Sequence, residues 1–256
     1  MRIVVGNLTS TLETDNPKII SALKEKYSFP VPGHEYSQAY KKRRWDGKKR
    51  YFTANGKFRT GLLRRIVADL KEIGVTDIEW GNRLEEQEPY IPSVGNFEYR
   101  EYQEKAIYQC LKKRRSIVDS PTGSGKTLIM AGCIAALQHE KDITAVVLFR
   151  EKGILNQTYE FFKKCGIRDL GYNSGEGYVP GKVMLSTVQS IERIIDTHLH
   201  ETELLMVDEA HQFCKGETTI AAIESFPNAS YRLAFTATPP REKAKDINAR
   251  MVLEGA

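Results

Sequence analysis

The sequence has only four cysteines in 256 residues, and they are widely spaced, with no Cys-x-x-Cys pair. This spacing argues against a structural zinc site or a disulfide framework and favours free thiols in a reducing compartment. No apolar run reaches membrane-spanning length, the N-terminus lacks a signal-peptide pattern, and neither internal repeats nor low-complexity tracts are present. The composition therefore disfavours a membrane-spanning, disulfide-stapled or repeat architecture.

The hydrophobic content, 41%, is ordinary for a folded chain. The length is enough for one α/β domain of about 150 residues and a smaller one. We predict a small α+β domain over residues 1–84, a linker over 85–96 and an α/β domain over 97–256. Two prolines, a glycine and a cluster of acidic and Gln residues mark the linker.

One segment has the spacing of a phosphate-binding loop. Residues 115–119 predict a buried parallel strand, and residues 128–137 predict a helix behind the loop. Its glycines would let backbone N–H groups face an anion closely. Lys126 would contact the β- and γ-phosphates of a nucleotide, and Thr127 would ligate Mg²⁺. The loop reads Ser120-Pro121-Thr122-Gly123-Ser124-Gly125-Lys126-Thr127, and the alternative is a simple Gly/Ser turn.

An acidic segment, Asp208-Glu209-Ala210-His211, follows the apolar run Leu204–Val207. The carboxyl ends of strands are where open α/β sheets bind ligands. We predict that Asp208 holds Mg²⁺ and that Glu209 orients or deprotonates the attacking water, with His211 completing the catalytic set. The alternative is a solvated loop. Further on, Thr236-Ala237-Thr238 ends another strand. The hydroxyls of Thr236 and Thr238 would couple the hydrolysis site to the site where the protein binds its partner molecule.

In this order, the motifs resemble those of superfamily 2 helicases of the Asp-Glu-Ala-His type. The resemblance covers roughly residues 97–256 and includes Tyr99-Arg100-Glu101-Tyr102-Gln103 and Ser186-Thr187-Val188-Gln189. It implies a RecA-like parallel sheet flanked by helices, the fold of P-loop NTPases, with ATP and Mg²⁺ as cofactors.

The same resemblance implies roles for particular residues. Gln103 would contact adenine, with Tyr102 beside it, and Thr187 and Gln189 would lie near the nucleic-acid backbone. A weaker match implies nucleic-acid contact by Gln157. In that weaker segment Arg150 stands where proline is common.

Positive charge is concentrated in the predicted N-terminal domain. Between Lys41 and Arg65 the chain has eleven basic residues and one acid, Asp46, whereas the net charge of the whole chain is +5. Such single-sign density opposes folding unless a polyanion neutralises it, so we predict nucleic-acid binding here. The alternative is an ordinary basic surface. The predicted contacts are Lys41, Lys42, Arg43, Arg44, Lys48, Lys49 and Arg50.

This region also resembles the N-terminal domain of phage recombination helicases, through Arg44-Trp45-Asp46-Gly47-Lys48 and the later Gly61-Leu62-Leu63. That resemblance implies an ATP-dependent DNA helicase that unwinds, branch-migrates and anneals forked or branched DNA in the host cytoplasm. A duplex DNA translocase of restriction or remodelling type, an RNA helicase and a non-enzymatic nucleic-acid-binding protein stay open as alternatives.

The family also has a second RecA-like domain, whose arginines reach the γ-phosphate. No pattern for it follows Thr238. We therefore expect these 256 residues to bind Mg·ATP and DNA as the N-terminal portion of a longer helicase, without unwinding DNA alone.

Overall fold

The computed structural model describes residues 1–82, 88–198, 200–214, 217–240 and 247–255. By compactness the chain divides into two units, Met1–Leu84 with Pro240–Ala256, and Glu85–Pro239. The first unit is thus assembled from two stretches that are far apart in the sequence. The first three residues of the predicted linker, 85–87, lie outside the described ranges.

The N-terminal stretch forms the predicted small α+β module. Its four-stranded sheet has the order β5-β2-β1-β6, and β3 pairs with β4 in a separate antiparallel ribbon. The strands are β1 (Arg2–Val4), β2 (Thr9–Glu13), β3 (Ser28–Pro30), β4 (Lys48–Arg50), β5 (Lys57–Arg59) and β6 (Glu79–Gly81), and the helices are α1 (Pro17–Lys26), α2 (Gln38–Lys41) and α3 (Leu63–Glu72).

Local chemistry explains the ends of these helices. The Asn16 side chain caps α1 by accepting a hydrogen bond from the Lys18 backbone N–H at 3.1 Å. Gly74, with φ 87°, follows α3 in the left-handed conformation that glycine adopts without steric cost. Ile66 and Leu70, one turn apart on α3, are fully buried and anchor that helix to the core.

The second unit contains a seven-stranded sheet with the order β10-β9-β11-β8-β12-β13-β7. All of its pairs are parallel except β9 with β10. The strands are β7 (Arg115–Asp119), β8 (Thr144–Phe149), β9 (Leu170–Ser174), β10 (Gly177–Val179), β11 (Val183–Thr187), β12 (Thr202–Val207) and β13 (Tyr231–Thr236), and the helices are α4 (Glu101–Lys113), α5 (Lys126–Glu140), α6 (Lys152–Lys164), α7 (Glu192–His198) and α8 (Glu217–Glu224). The predicted α/β class with a helix-flanked parallel sheet is confirmed.

Burial follows the position of each strand in this sheet. Strands β8 and β11 are buried at every residue, and α5 is buried along most of its length. Strand β7 has the predicted limits but is only half-buried. The prediction of a buried strand was wrong here because β7 lies at the edge of the sheet and pairs only with β13 among the described strands.

The last helix, α9 (Ile247–Gly255), belongs to the first unit. The Tyr51 hydroxyl donates to Asn248 at 3.0 Å, and the Asn248 side chain donates to the Pro30 carbonyl at 2.8 Å. Met251 and Val252 are buried. The structure therefore departs from the predicted 97–256 domain, since α9 packs with the N-terminal module. In the described ranges, no helix is both long and apolar enough to cross a membrane.

Candidate nucleotide and nucleic-acid sites

The loop predicted to bind phosphate, residues 120–127, joins β7 to α5, and its shape is fixed by its own hydrogen bonds. Gly123 and Gly125 have φ values of 81° and 80°, which residues with a β-carbon rarely adopt. The Ser124 hydroxyl donates to the Pro121 carbonyl at 2.6 Å and contacts the Ser120 hydroxyl. Thr122 completes the turn between them. The loop therefore ends directly at the amino end of α5, where a helix attracts anions.

Lys126 is the first residue of α5 and lies between the loop and the acidic segment. Its Nζ donates to the Ser120 carbonyl at 3.3 Å and lies 3.6 Å from Oε1 of Glu209. The side chains of Lys126 and Glu209 are only 11% and 25% exposed. The structure thus brings together the two predicted motifs, with Thr127 following in the first turn of α5.

Tyr102 and Gln103, on α4, both contact the loop. The Tyr102 hydroxyl and the Gln103 amide nitrogen donate to the Ser124 carbonyl at 2.7 and 3.0 Å. The Gln103 amide oxygen accepts from the Arg100 backbone N–H at 2.9 Å, and Gln103 is buried. Both polar atoms of Gln103 therefore have protein partners, so that it braces the loop; its contact with adenine stays a prediction.

Asp208 follows β12 and carries an unsatisfied carboxylate oxygen. Its backbone N–H donates to the Leu148 carbonyl at 3.0 Å, which holds it against β8. Among the described residues, Oδ1 of Asp208 is buried without a hydrogen-bond partner. Burial, with a smaller contribution from the Glu209 carboxylate, raises the pKa of Asp208 to about 6, whereas a backbone hydrogen bond and Lys126 oppose the rise. A cation at this oxygen would relieve its desolvation.

Glu209 and His211 are held in a strained turn. Glu209 has φ 47°, a left-handed conformation that is unusual for a residue with a β-carbon. It is followed by a single 3₁₀ turn, Ala210–Gln212. Nδ1 of His211 lies 3.4 Å from Oε2 of Glu209 and 2.9 Å from the Thr236 hydroxyl. The turn thereby aims the Glu209 carboxylate toward Lys126 and ties His211 to the end of β13.

Thr236 joins all of these segments. Its carbonyl accepts from the Ser120 backbone N–H at 3.0 Å, and its hydroxyl accepts from the Thr238 backbone N–H at 3.2 Å. Thr236 is fully buried, whereas the Thr238 side chain is exposed. Of the two predicted coupling residues, only Thr236 connects the phosphate loop with the acidic turn through its own atoms.

A separate groove of about 640 Å³ lies at the carboxyl ends of β8 and β11. Thr187 and Gln189, two of the predicted nucleic-acid contacts, line this groove, whereas Gln157, the third, is exposed on α6 and does not. The Thr187 hydroxyl donates to Ser190 at 3.0 Å and is buried, so Gln189 is the more accessible of the two. Three further cations line it, namely Arg150, Lys152 and Arg193. The sequence marked Arg150 only as a departure from the usual motif, and it did not mark Lys152 or Arg193.

A buried amide fixes one wall of this groove. The Asn173 side chain, on β9, donates to the Ser186 hydroxyl at 2.8 Å and to the Ser190 carbonyl at 2.7 Å, and it accepts from Arg193 at 3.4 Å. Arg193 also donates to the carbonyls of the β9–β10 hairpin. Because Asn173 is fully buried and satisfied, it holds the turn that carries Gln189 against the hairpin.

The predicted basic contacts of the N-terminal unit are mostly exposed. Lys41, Lys42, Arg43, Arg44, Lys48 and Arg50 face solvent, and Lys49 is half-buried. Arg50 forms an ion pair with Asp46, and the Lys49 ammonium lies 5.6 Å from the centre of the Tyr51 ring. Among the predicted basic contacts, the four residues Lys41–Arg44 therefore form the densest group of solvent-exposed positive charges.

The aromatic residues beside the run divide into two groups. Tyr51 and Phe52 are core residues. The Trp45 indole N–H donates to the Lys48 carbonyl at 2.9 Å and fixes the turn between α2 and β4. Tyr36 and Tyr40 are 76% and 38% exposed, so only these two are placed to stack on a base.

Two curated proteins match the chain at low identity. The DNA 3'-5' translocase XPB2 of Sulfurisphaera tokodaii is 26% identical and is aligned over 66% of this chain and 37% of its own length. The ATP-dependent DNA helicase uvsW of Enterobacteria phage T4 is 20% identical, with coverage of 84% and 47%. The chain thus spans less than half the length of these relatives.

The fold matches solved structures over almost the whole chain. The UvsW helicase from bacteriophage T4 superposes with a TM-score of 0.81 at 17% identity, covering 99% of this chain and 97% of that chain. A second T4 UvsW structure superposes with a TM-score of 0.80, and this chain covers 56% of its length. At these identities the likeness establishes the fold.

The family assignment rests on the motif-bearing part of the chain. The family model described as Type III restriction enzyme, res subunit matches residues 96–241, which is more than half of the chain. That range contains the phosphate-binding loop, the acidic segment and Thr236-Ala237-Thr238. The chain therefore belongs to the Type III restriction enzyme res-subunit family, and the predicted relation to superfamily 2 helicases is confirmed.

Proposed function

We propose that this chain provides the ATP-binding and DNA-binding parts of an ATP-dependent DNA helicase that acts on forked or branched DNA. The observation that supports this most directly is the position of Lys126, held between the Ser120 carbonyl and the Glu209 carboxylate. A cation at the start of a helix, facing an acidic turn, is the arrangement that phosphoryl transfer from a nucleotide requires.

The residues present fit Mg·ATP. A methyl group placed on Gly123 would meet no atom within 4 Å, so the loop has room for a phosphate over this glycine. The buried, unpartnered Oδ1 of Asp208 suits a cation. Thr127 and Asp208 would hold Mg²⁺, which would neutralise charge on the phosphates when bound.

The chain's own residues would divide the work of hydrolysis. Lys126 would move from the carboxylate of Glu209 to the β- and γ-phosphates and stabilise their charge. Glu209, thereby freed, would orient the attacking water and accept its proton. Nδ1 of His211, which lies close to both Oε2 of Glu209 and the Thr236 hydroxyl, would keep the acidic turn and β13 in one arrangement.

Two surfaces of the chain would bind DNA. The groove lined by Gln189 and three cations would take one stretch of phosphate backbone, and the Lys41–Arg44 run would take another. Two surfaces on one chain suit unwinding, branch migration and annealing of forked intermediates, because such substrates present more than one DNA arm.

Titrations with labelled nucleic acids of equal length test this proposal. We expect the tightest binding to forked DNA, followed in order by duplex DNA, single-stranded DNA and RNA. Mg·ATP binding should survive the Glu209→Gln substitution, whereas ATP turnover should fall at least about 100-fold. Tighter binding to RNA than to any DNA would favour an RNA helicase. Absence of Mg·ATP binding would leave a non-enzymatic nucleic-acid-binding protein.

The second candidate is a duplex DNA translocase. It is favoured by the relative named DNA 3'-5' translocase XPB2 and by the description of the family. A chain extended as in its relatives would displace a third strand from a triplex on unbranched duplex without separating the duplex strands. The helicase proposal expects the reverse pattern on forked substrates.

A further inference from the structure

Arg150 is the one residue that lines both the DNA groove and a small cleft beside the acidic turn, among the cavities lined by described residues. It follows directly after β8, so it stands at the carboxyl edge of the sheet. Asp208 and Glu209 line the cleft, and Gln189 lines the groove. A single side chain therefore spans the space between the two proposed binding sites.

The guanidinium of Arg150 is hydrogen-bonded to the acidic turn, which runs from Glu209 to Gln212. Its Nη1 donates to the Gln212 carbonyl at 3.1 Å. Gln212 ends the 3₁₀ turn that begins directly after Glu209, so this bond holds the far end of the segment that carries Glu209 and His211. The side chain is exposed on the groove side, where a phosphate would approach it.

We propose that Arg150 is a positioning residue that couples occupation of the DNA groove to the acidic turn of the nucleotide site. This inference rests on the proposed function of the groove. A guanidinium presents five N–H donors in a rigid plane, so it can keep the Gln212 carbonyl while other donors bind a phosphodiester. A phosphate in the groove would then immobilise Arg150 and, through Gln212, restrict the turn that carries Glu209.

The direction of the effect follows from linkage. If DNA favours the arrangement of the turn in which Glu209 and Asp208 face the nucleotide, then bound nucleotide must strengthen DNA binding by the same factor. This coupling factor is the ratio of the DNA dissociation constants measured without and with nucleotide. Loss of Arg150 should bring the factor to one, beyond any loss of DNA affinity itself.

Lys152 provides a matched control. It lines the same groove and carries the same charge, but it does not line the cleft with Asp208, and its ammonium pairs with Glu176 on the hairpin side. Removing either cation should weaken DNA binding through the lost phosphate contact. Only the removal of Arg150 should also abolish the coupling.

The experiment measures binding and does not depend on turnover. Fluorescence anisotropy of a labelled duplex is recorded with and without Mg²⁺ and a non-hydrolysable ATP analogue. The parent, Arg150→Ala, Arg150→Lys and Lys152→Ala are compared in a chain that also carries Lys41→Gln, Lys42→Gln, Arg43→Gln and Arg44→Gln, which removes the competing basic surface. Analogue affinity is measured in the reciprocal direction, with saturating duplex.

We expect a coupling factor of about fivefold or more in the parent and in Lys152→Ala, and a factor near one in Arg150→Ala. Arg150→Lys should keep DNA affinity and lose part of the coupling, because one ammonium cannot serve both partners well. Analogue affinity without DNA should stay within about twofold of the parent in every variant.

Two outcomes overturn the inference, and a third overturns the proposed groove itself. A parent factor of one, or equal factors in Arg150→Ala and the parent, would make Arg150 a phosphate contact only. If neither Arg150→Ala nor Lys152→Ala weakens duplex binding, the groove does not bind DNA. In that case the proposed DNA contact fails together with the coupling.

Discussion

Nδ1 of His211 lies 2.9 Å from the hydroxyl of Thr236, which joins the turn after β12 to the end of β13. Thr236 also accepts a backbone hydrogen bond from Ser120 in the phosphate-binding loop. Three segments that are separated by up to 116 positions in the sequence numbering, from Ser120 to Thr236, thus meet at one buried threonine.

Thr236→Val should separate nucleotide binding from turnover. Valine keeps the shape of the side chain and removes the hydroxyl contacts with His211 and the Thr238 backbone N–H, but it keeps the backbone bond to the loop. Mg·ATP affinity should therefore stay within about twofold. Nucleic-acid-stimulated turnover in a chain extended as in its relatives should fall by about tenfold, or about 1.4 kcal/mol of barrier. Thr202→Val is the control, since Thr202 is equally buried and loses a bond to the His198 carbonyl at the other end of β12. Equal turnover losses in both variants would show a general packing effect.

Lys126→Ala should leave the fold intact and weaken Mg·ATP binding by about 100-fold, because a charge-assisted contact worth about 3 kcal/mol is lost. Isothermal titration calorimetry measures this directly. Lys141→Ala, at the opposite end of α5, removes an exposed ion pair with Glu203 and should bind Mg·ATP as the parent does. If Lys126→Ala matches the parent, the nucleotide binds elsewhere.

Asp208→Asn should stabilise the ligand-free chain near neutral pH. Burial raises the pKa of Asp208 from 3.8 to about 6, so the folded state binds a proton more tightly than the unfolded state. The stabilisation from this proton is fully present below about pH 4 and is lost as the pH rises through 6. The cost of the ionised carboxylate at pH 7.5 is about 3 kcal/mol at most.

Urea unfolding of the parent and Asp208→Asn in chelator-treated buffer checks this. The variant should be more stable at pH 7.5, and the difference should shrink as the pH is lowered from 7 to 4. A difference that does not change with pH would mean that the Asp208 carboxyl titrates normally. With Mg·ATP added, the parent should become the more stable of the two proteins, since Asn is a poorer ligand for Mg²⁺ than a carboxylate.

Reversing Lys41 and Lys42 to Glu should weaken duplex binding for all sequences. The slope of log K against log salt should become shallower by about one unit for each phosphate contact removed. Reversing Lys18 and Lys71, two exposed lysines of the same unit, changes the net charge equally and should leave the slope unchanged. Equal changes in both pairs would indicate a general effect of net charge rather than a binding surface.

The motifs of the second unit could be placed from the sequence because their signals are local. The apolar runs that form β12 and β13, and the glycines at 123 and 125, place the motifs at strand ends without knowledge of the tertiary structure. The short strands β2, β3 and β5 carry no such signal, because three to five residues with few apolar positions show no periodicity.

Tertiary partners could not be predicted in the same way. The sequence marks Arg150 as unusual, but its bond to Gln212 exists only because β8 and β12 are neighbours in the sheet. Likewise, no local pattern shows which unit buries Met251 and Val252 of α9. Both polar side-chain atoms of Gln103 form hydrogen bonds within the protein because α4 lies against the loop. No local sequence pattern encodes that placement.

The return of α9 to the N-terminal module has a consequence for synthesis of the chain. The continuous unit, Glu85–Pro239, is synthesised before residues 247–255, so it can form its native sheet before α9 is available. The module that begins the chain must wait for Asn248, Met251 and Val252 before Tyr51 and Pro30 find their partners. Of the two units, the one that starts earlier in the sequence is therefore completed later, and a fragment that ends near residue 84 would expose the apolar surface that α9 covers.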